Sequence, residues 1–294
     1  MELTRTPAGW RSISGRRATN QDAVVTGRLT DGRELVAIAD GMGGHQGGEI
    51  ASQQALETLI VSLEAGRTLR EGFADANAAV YQAAQQNPAW TGMGTTLVAL
   101  LRSGHRYQIA NVGDSRAYCV SDDGISQITH DHSFLAEALR DRRMSVEEAR
   151  SSRWRNALTR AIGSEPEIEI DTFGPYEVQQ RHTIVLCSDG LHGSLTDDAM
   201  LRCLQQNQDV WDAATCLADE AFEKGSKDNI SVAVVSLAEW EQVQVSAPPA
   251  VRHDPPAVRH DAPAVRHNPQ PFKLIYAPER TQPSLLKRFF TLFT

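Results

Sequence analysis

The chain lacks an excess of positive charge, paired cysteines and any long apolar run. Its formal net charge is −8 over 294 residues. That argues against general nucleic-acid binding, which needs a basic face for the phosphates. The charge is unevenly spread: from Ser246 onward seven Lys/Arg stand against three Asp/Glu, a net +4, which leaves −12 on the remainder. The four cysteines, Cys119, Cys187, Cys203 and Cys216, include no C-x-x-C pair, so neither a zinc ribbon nor a thioredoxin-like motif is indicated. Four scattered cysteines in a chain of this length do not suggest a disulfide framework. Cys119 and Cys187 lie in apolar runs and are expected to be buried thiols. The opening "MELTRTPAGW" has no apolar signal-peptide core, and no stretch approaches the roughly 18 apolar residues of a membrane span. With 41 % apolar and 22 % charged residues, the expectation is an ordinary globular, cytoplasmic protein.

Several loop chemistries are missing too. In "LVAIADGMGGHQGGEIAS" (Leu35 to Ser52) an apolar run ends in Asp40, and five glycines follow within eight positions. A dinucleotide loop needs G-x-G-x-x-G; Gly41 and Gly43 fit, but Gln46 stands at the third position. No G-x-x-x-x-G-K-[ST] phosphate loop exists, no cysteine is followed by an arginine six residues later, and the kinase signatures V-A-I-K and H-R-D are absent.

What is there, up to about Glu241, alternates between strand-like and helix-like patterns. "ELVAIAD", "HTIVLCSDG" and "DNISVAVVSL" are buried-strand candidates. Ala55, Leu56, Leu59, Ile60 and Leu63 recur at helical spacing, and further helices are expected over Leu69–Gln85 and in "DVWDAATCLADEAFEKG". The stretch from Gly94 to Gly124 reads as a strand meander with turns at Ser103-Gly104 and Asp123-Gly124. Consecutive strands favour packed antiparallel sheets covered by helices over a doubly wound sheet.

Four turns share one design, an apolar strand beside an aspartate and a small or polar residue: Asp40, Asp114 in "ANVGDSR", Asp189 in "VLCSDGL" and Asp228 in "SKDNISV". Asp22 in "RRATNQD" is a fifth. Any one alone is an ordinary turn or cap residue. Together, strand ends of packed sheets can bring them to one edge, where they would repel unless cations neutralised them. Oxygen donors without cysteine suit Mg²⁺ or Mn²⁺. Glycine at 41 leaves a backbone carbonyl open to a hard cation, and Gly43 and Gly44 can take positive φ.

At these residues the sequence resembles the metal-dependent protein serine/threonine phosphatases of type 2C, in their bacterial form. The motifs run in family order over roughly Ser12 to Leu237: "RRATNQD", "ADGMGGHQGGEIAS", "GMGTTLVALL", "NVGDSRAY", "ITHDHSF", "LTRAIGS", "LCSDGLHGSLTDD" and "GSKDNISVAVV". The resemblance implies an α+β fold, a four-layer α-β-β-α sandwich with two central antiparallel sheets. It implies a phosphoserine/phosphothreonine phosphatase that uses a water or hydroxide between two metal ions and opposes a bacterial Ser/Thr kinase. Asp40 would bridge two Mn²⁺ or Mg²⁺ ions. Asp189 and Asp228 would hold the first; the Gly41 carbonyl would hold the second, with Asp22 on its waters. Asp114, with Asp189, matches the place of a third, weaker ion. Arg17 matches the arginine that binds substrate phosphate, ahead of its neighbour Arg16. Asn229 would orient Asp228 and its waters. Two ions so placed can acidify a water and clamp an in-line displacement.

The chain departs from the family at two places. Methionine stands at 42, where eukaryotic members carry a histidine proposed to protonate the leaving group; His45 nearby can equally cap the next helix. Gln21 replaces a frequent glutamate and can still hold a metal water. His130, Asp131 and His132 resemble the segment leading into the family's flap, about Leu135 to Arg155, and are expected to anchor it. A rival reading is a catalytically weak or inactive phosphatase fold kept as a binding module. The retention of Arg17, Asp40, Asp189 and Asp228 speaks against it.

The expected domains are a catalytic unit over 1–242, a linker over 243–271 and a docking segment over 272–294. The linker contains a seven-residue unit three times, "PPAVRHDPPAVRHDAPAVRHN"; its prolines exclude a coiled coil and favour extended or disordered chain. The docking segment ends in "PSLLKRFFTLF", which suits a partner protein or an anionic membrane. The catalytic unit is expected to be monomeric.

Overall fold

A period of two in buried side chains organises the strands. In β3 (Glu34–Met42), Leu35, Ala37 and Ala39 join one apolar cluster, while Val36 and Ile38 join another on the opposite face. The computed structural model describes residues 8–237, apart from 44–45, 142–143, 146, 149–151, 155–156 and 180, together with the backbone of 274–275.

Two antiparallel sheets result. The first contains β1 (Ala8–Ile13), β7 (Arg116–Ser121), β8 (Gly124–Gln127), β10 (Thr183–Cys187) and β11 (Ile230–Ser236), in the order β1-β11-β10-β7-β8. The second contains β2 (Asp22–Arg28), β3, β5 (Leu97–Ser103), β6 (Arg106–Val112) and β9 (Asp171–Glu177), in the order β2-β3-β5-β6-β9, with β4 (Gly94–Thr95) pairing to the end of β3. Val24, Val36, Ile38, Val98, Leu100 and Ile109 of the second sheet meet Ile184, Leu186, Ala233 and Val235 of the first. Each such side chain, fully buried, contributes about 1.5–3 kcal/mol.

Helices cover both outer faces. α1 (Gly47–Glu64) and α2 (Leu69–Gln86) pack Leu56, Leu59, Leu63, Phe73 and Val80 onto the larger sheet. The first turn of α2 is fixed by a capping box between Thr68 and Glu71. α3 (Phe134–Arg140) begins the segment after β8, and α4 (Asp189–His192) is a single turn. α5 (Asp197–Gln206) and α6 (Val210–Glu223) cover the smaller sheet, through Met200, Leu217 and Ala221 among others. The Asp209 carboxylate accepts from the backbone N–H groups of Trp211 and Asp212 and so starts α6. The α-β-β-α sandwich and its antiparallel sheets are as expected.

Two expectations need correction. Cys203 on α5 and Cys216 on α6 form a disulfide, Cα atoms 6.0 Å apart, because the two helices pack side by side. Cys119 is only half-buried, although Cys187 is buried. In the C-terminal segment, the described residues form β12 (Leu274–Ile275), which pairs antiparallel with Val24 and Val25 at the open edge of β2. The repeat linker, the rest of the C-terminal segment and His45 lie outside the described residues. Among the described residues, no helix is long and apolar enough to cross a membrane.

Candidate active site

Antiparallel pairing sets the acids at one edge. Asp22 begins β2 and Asp40 closes the matching part of β3, so the two face each other across the ladder. In the other sheet, Cys187 at the end of β10 pairs with Arg116 at the start of β7 and with Val232 of β11. That register puts Asp189, Asp114 and Asp228, each one or two residues beyond a strand end, beside the first pair. The charges of Asp22, Asp189, Asp114 and Asp228 all act on Asp40. All five acids singled out in the sequence therefore share one recess.

The recess raises the proton affinity of Asp22, Asp40, Asp114 and Asp189. Desolvation pushes Asp22 up to about 7, with the Asp189 charge adding and bonds from Ser231 and Ser188 opposing. Asp40 rises well above the usual carboxylate range, first through desolvation, then through the charges of its four acidic neighbours. Asp114 reaches about 7 through desolvation and the Asp189 charge. Desolvation and the Asp228 charge also raise Asp189, against hydrogen bonding from Asp40 and the charge of Arg17. Oδ1 of Asp22 and Oδ1 of Asp189 are buried without any hydrogen-bond partner. Crowded carboxylates with orphaned oxygens, and no thiolate or imidazole among them, fit hard divalent cations. Among the described residues no three acidic, histidine or cysteine side chains close on one point as a finished cage.

Hydroxyl groups fix this edge, and these residues escaped the sequence reading. The Asp40 N–H donates to Thr96 Oγ1 at 3.0 Å. Its carbonyl accepts from Thr95 Oγ1 and from the Thr96 N–H, each at 2.9 Å. Thr96 Oγ1 also meets Ser115 Oγ at 2.7 Å, beside Asp114. A second network closes on itself around Asp22. Ser188 Oγ donates to Asp22 Oδ2 at 2.8 Å and accepts from the Ser231 N–H at 3.0 Å. Ser231 Oγ meets Ser12 Oγ at 2.8 Å; Asn20 Nδ2 donates to Ser12 Oγ at 2.9 Å, and Asn20 Oδ1 accepts from the Asp22 N–H at 3.1 Å. The available signal was a serine within three residues of Asp114, Asp189 and Asp228: Ser115, Ser188 and Ser231.

Arg17 stands at the mouth of the recess. Its Nη2 donates to Asp228 Oδ2 at 2.7 Å and its Nε to the Lys227 carbonyl at 3.1 Å, while the side chain stays 56 % exposed. Arg16 points elsewhere, with its guanidinium 5.7 Å from the Phe222 ring centroid. Asn229 differs from expectation. Its backbone N–H, not its side chain, holds Asp228 Oδ1 at 2.9 Å. The side-chain amide donates to the carbonyls of Ser14 and Thr19 and accepts from the Gln21 N–H. Asn229 thus clasps the loop that carries Arg17 and Asp22. Gln21 follows suit: its carbonyl accepts from Ser52 Oγ at 2.7 Å and from the Gly41 N–H at 3.2 Å.

The reason for glycine at 41 also changes. A Cβ there would lie 2.0 Å from the Gly48 carbonyl oxygen, and a Cβ at Gly48 would lie 2.7 Å from the Gly41 oxygen and 2.9 Å from Gln21 Cδ. Gly41 makes room for the first turn of α1, and Gly48 keeps the Gly41 carbonyl clear. Gly43 has φ +139°, as expected of a turn glycine. Met42 packs across Gly94, whose Cβ would lie 2.8 Å from Met42 Cε. Gly48→Ala should lower stability by about 1–3 kcal/mol through overpacking, outweighing the roughly 1 kcal/mol that alanine gains in helix propensity. A urea midpoint at or above that of the parent would contradict this.

The segment from His130 to His132, which precedes the expected flap, is itself tied to both sheets. Asp131 takes Arg116 by two nitrogens at 2.7 and 2.9 Å, and His130 meets the edge of Phe173. His132, fully buried, reaches the Asp114 turn and Asp171.

A two-sheet sandwich with a carboxylate edge and an arginine at its mouth is the arrangement of metal-dependent phosphatases, and the profile of protein phosphatase 2C matches residues 11–224: the chain belongs to that family. Among individual relatives, it is 34 % identical over 239 residues to the serine/threonine phosphatase stp of Listeria monocytogenes, covering 78 % of this chain and 94 % of that one. It is 35 % identical over 240 residues to the serine/threonine protein phosphatase PstP of Mycobacterium tuberculosis, covering 78 % of this chain and 44 % of that one. The crystal structure of Stp1 from Staphylococcus aureus superposes with a TM-score of 0.71 at 32 % identity, covering 80 % of this chain and 97 % of that one. The catalytic domain of PstP, solved in complex with two manganese ions, gives 0.67 at 33 % identity, covering 78 % and 96 %.

Proposed function

We propose that the chain hydrolyses phosphoserine and phosphothreonine in proteins, reversing a Ser/Thr kinase of bacterial type. The observation that carries this is the convergence of five aspartates from two sheets, with orphaned oxygens on Asp22 and Asp189. Asp40, Asp189 and Asp228 with the Gly41 carbonyl, and Asp22 through waters, are the groups to hold two Mn²⁺ or Mg²⁺ ions; Asp114 with Asp189 would hold a third, weaker one. Such ions, when bound, supply an acidified water and neutralise phosphoryl charge. Arg17 turns its exposed guanidinium to the phosphate and orients it. The pairing of Arg17 with Asp228 lets substrate capture and metal holding share one carboxylate.

Two described nucleophiles near the acids are unsuited to covalent catalysis. Ser188 is buried and bonded to Asp22 and Ser231. Burial pushes the Cys187 thiol up to about 12, so it is not a thiolate. Both features support direct hydrolysis without a phosphoenzyme. The test is turnover of p-nitrophenyl phosphate and of a phosphothreonine peptide by pure protein. Activity that depends on Mn²⁺ and disappears with chelator is expected; no turnover with any divalent ion would leave the binding-module reading in its place.

The domain reading has three parts: a catalytic unit over 1–242, a spacer over 243–271, and a C-terminal segment that docks a protein or an anionic membrane and so recruits a cytoplasmic enzyme. Deleting 246–294 should leave p-nitrophenyl phosphate turnover within about twofold of the full chain, since β12 adds only two residues to β2. A loss of tenfold or more would mean that the tail braces the strand that carries Asp22.

A further inference from the structure

Two histidines that the reaction does not use grip the turn that carries Asp114. His192 ends α4, the same helical turn that Asp189 begins. Its Nε2 lies 3.0 Å from the Asp114 carbonyl oxygen; a carbonyl only accepts, so Nε2 carries the proton. His132 holds the neighbouring residue from the other side. Its Nδ1 accepts from the Gly113 N–H at 3.1 Å, and its backbone N–H donates to the Gly113 carbonyl at 3.0 Å. The proton of this ring is therefore also on Nε2, which lies 3.2 Å from Asp171 Oδ2 without making a full hydrogen bond. The turn has no freedom on its third side. Gly113 sits at φ +103°, and a Cβ there would lie 2.6 Å from Thr96 Cγ2. Thr96 is the residue that accepts the Asp40 N–H.

We infer that His192 and His132 are positioning residues that set the Asp114 carboxylate against Asp189 for the weakest of the divalent cations. The inference rests on the reading of Asp114 as a ligand of that ion. His192 does this most directly, because one short helix carries both it and Asp189. A hydrogen bond from a neutral imidazole fixes the carbonyl of Asp114, and with it the direction in which the side chain leaves the backbone.

The experiment is a Mn²⁺ titration of the full chain by calorimetry, with manganese EPR to count bound ions. The variants are His192→Leu, His192→Gln, His192→Asn and Asp114→Asn, each with a thermal melt. Asp114→Asn should remove the weak class of ions. His192→Leu should weaken that class tenfold or more and leave the tight class within twofold. Glutamine can donate to the Asp114 carbonyl and should restore the weak class; asparagine is too short and should not. This comparison stands even if the leucine variant fails to fold. Unchanged weak binding in both His192→Leu and His192→Asn, with Asp114→Asn lacking the weak ion, would overturn the clamp and spare the ligand reading. Equal loss of tight and weak ions would also overturn it, as would a melt lowered alike in the glutamine and asparagine variants. Retention of every ion in Asp114→Asn would sink the ligand reading and the clamp with it.

Discussion

Asp40→Asn should lower kcat/KM on p-nitrophenyl phosphate by about 10³-fold or more, equivalent to roughly 4 kcal/mol of transition-state stabilisation. The backbone at this position does not depend on the carboxylate. Thr95 and Thr96 hold its N–H and carbonyl with three hydrogen bonds, so the isosteric amide stays in place. What disappears is the acid that faces Asp22 across the ladder. Burial and the charges of Asp22, Asp189, Asp114 and Asp228 make that acid costly to ionise without a cation, and the neutral amide removes that cost. The metal-free variant should therefore melt no lower than the parent, while Mn²⁺ should raise its melting temperature less. Steady-state kinetics with paired melts decide the matter. Turnover within threefold of the parent would contradict the assignment of Asp40.

Mn²⁺ should stabilise the protein strongly at pH 8 and weakly at pH 5.5. The sign follows from the raised carboxyls. Asp22 and Asp114 titrate near 7 in the folded protein against an ordinary value of 3.8. Between those values the folded state holds more protons than the unfolded state, so the stability of the metal-free protein falls as pH rises from about 4 to about 7 and levels off above. Each unit of displacement is worth about 1.4 kcal/mol, so the loss is on the order of several kcal/mol. For a domain of this size each kcal/mol moves the melting temperature by roughly 2–4 °C. A cation competes with those protons, and its binding becomes tighter as they leave. Metal-free melting temperature should fall by on the order of 10 °C between pH 5.5 and pH 8, and saturating Mn²⁺ should recover most of it. A metal-free protein that grows more stable toward pH 8 would contradict the raised carboxyls.

The acids were legible because they repeat one local design, a strand end beside a small or polar turn residue, and antiparallel strands bring such ends together. Their supports were not. Ser188 adjoins Asp189 and Ser231 lies three residues after Asp228, yet the acid they serve is Asp22. Asn229 holds its sequence neighbour Asp228 through the backbone N–H, while its side chain serves the loop from Ser14 to Gln21. Gly41 was singled out for an open carbonyl, but it is Gly48, seven residues on, that decides the clearance around that carbonyl. The Cys203–Cys216 bond depends on how two helices pack, which a spacing of 13 does not encode. The short strand at Leu274–Ile275 depends on an open sheet edge that only the topology reveals.

The closed hydrogen-bond circuit around Asp22 has a mechanical consequence. Asp22 and Asp40 belong to the larger sheet, whereas Ser188, Ser231, Asp189 and Asp228 flank strands of the smaller one. Elsewhere the sheets meet through apolar side chains, which tolerate sliding; at this edge they are stitched by directional bonds. Any group that satisfies the carboxylates of both sheets at once acts as a crosslink across the sandwich. Occupancy of the recess and cohesion of the two layers thus become a single equilibrium, so a substitution at Ser231, itself no ligand, is felt as a change in how firmly the site closes.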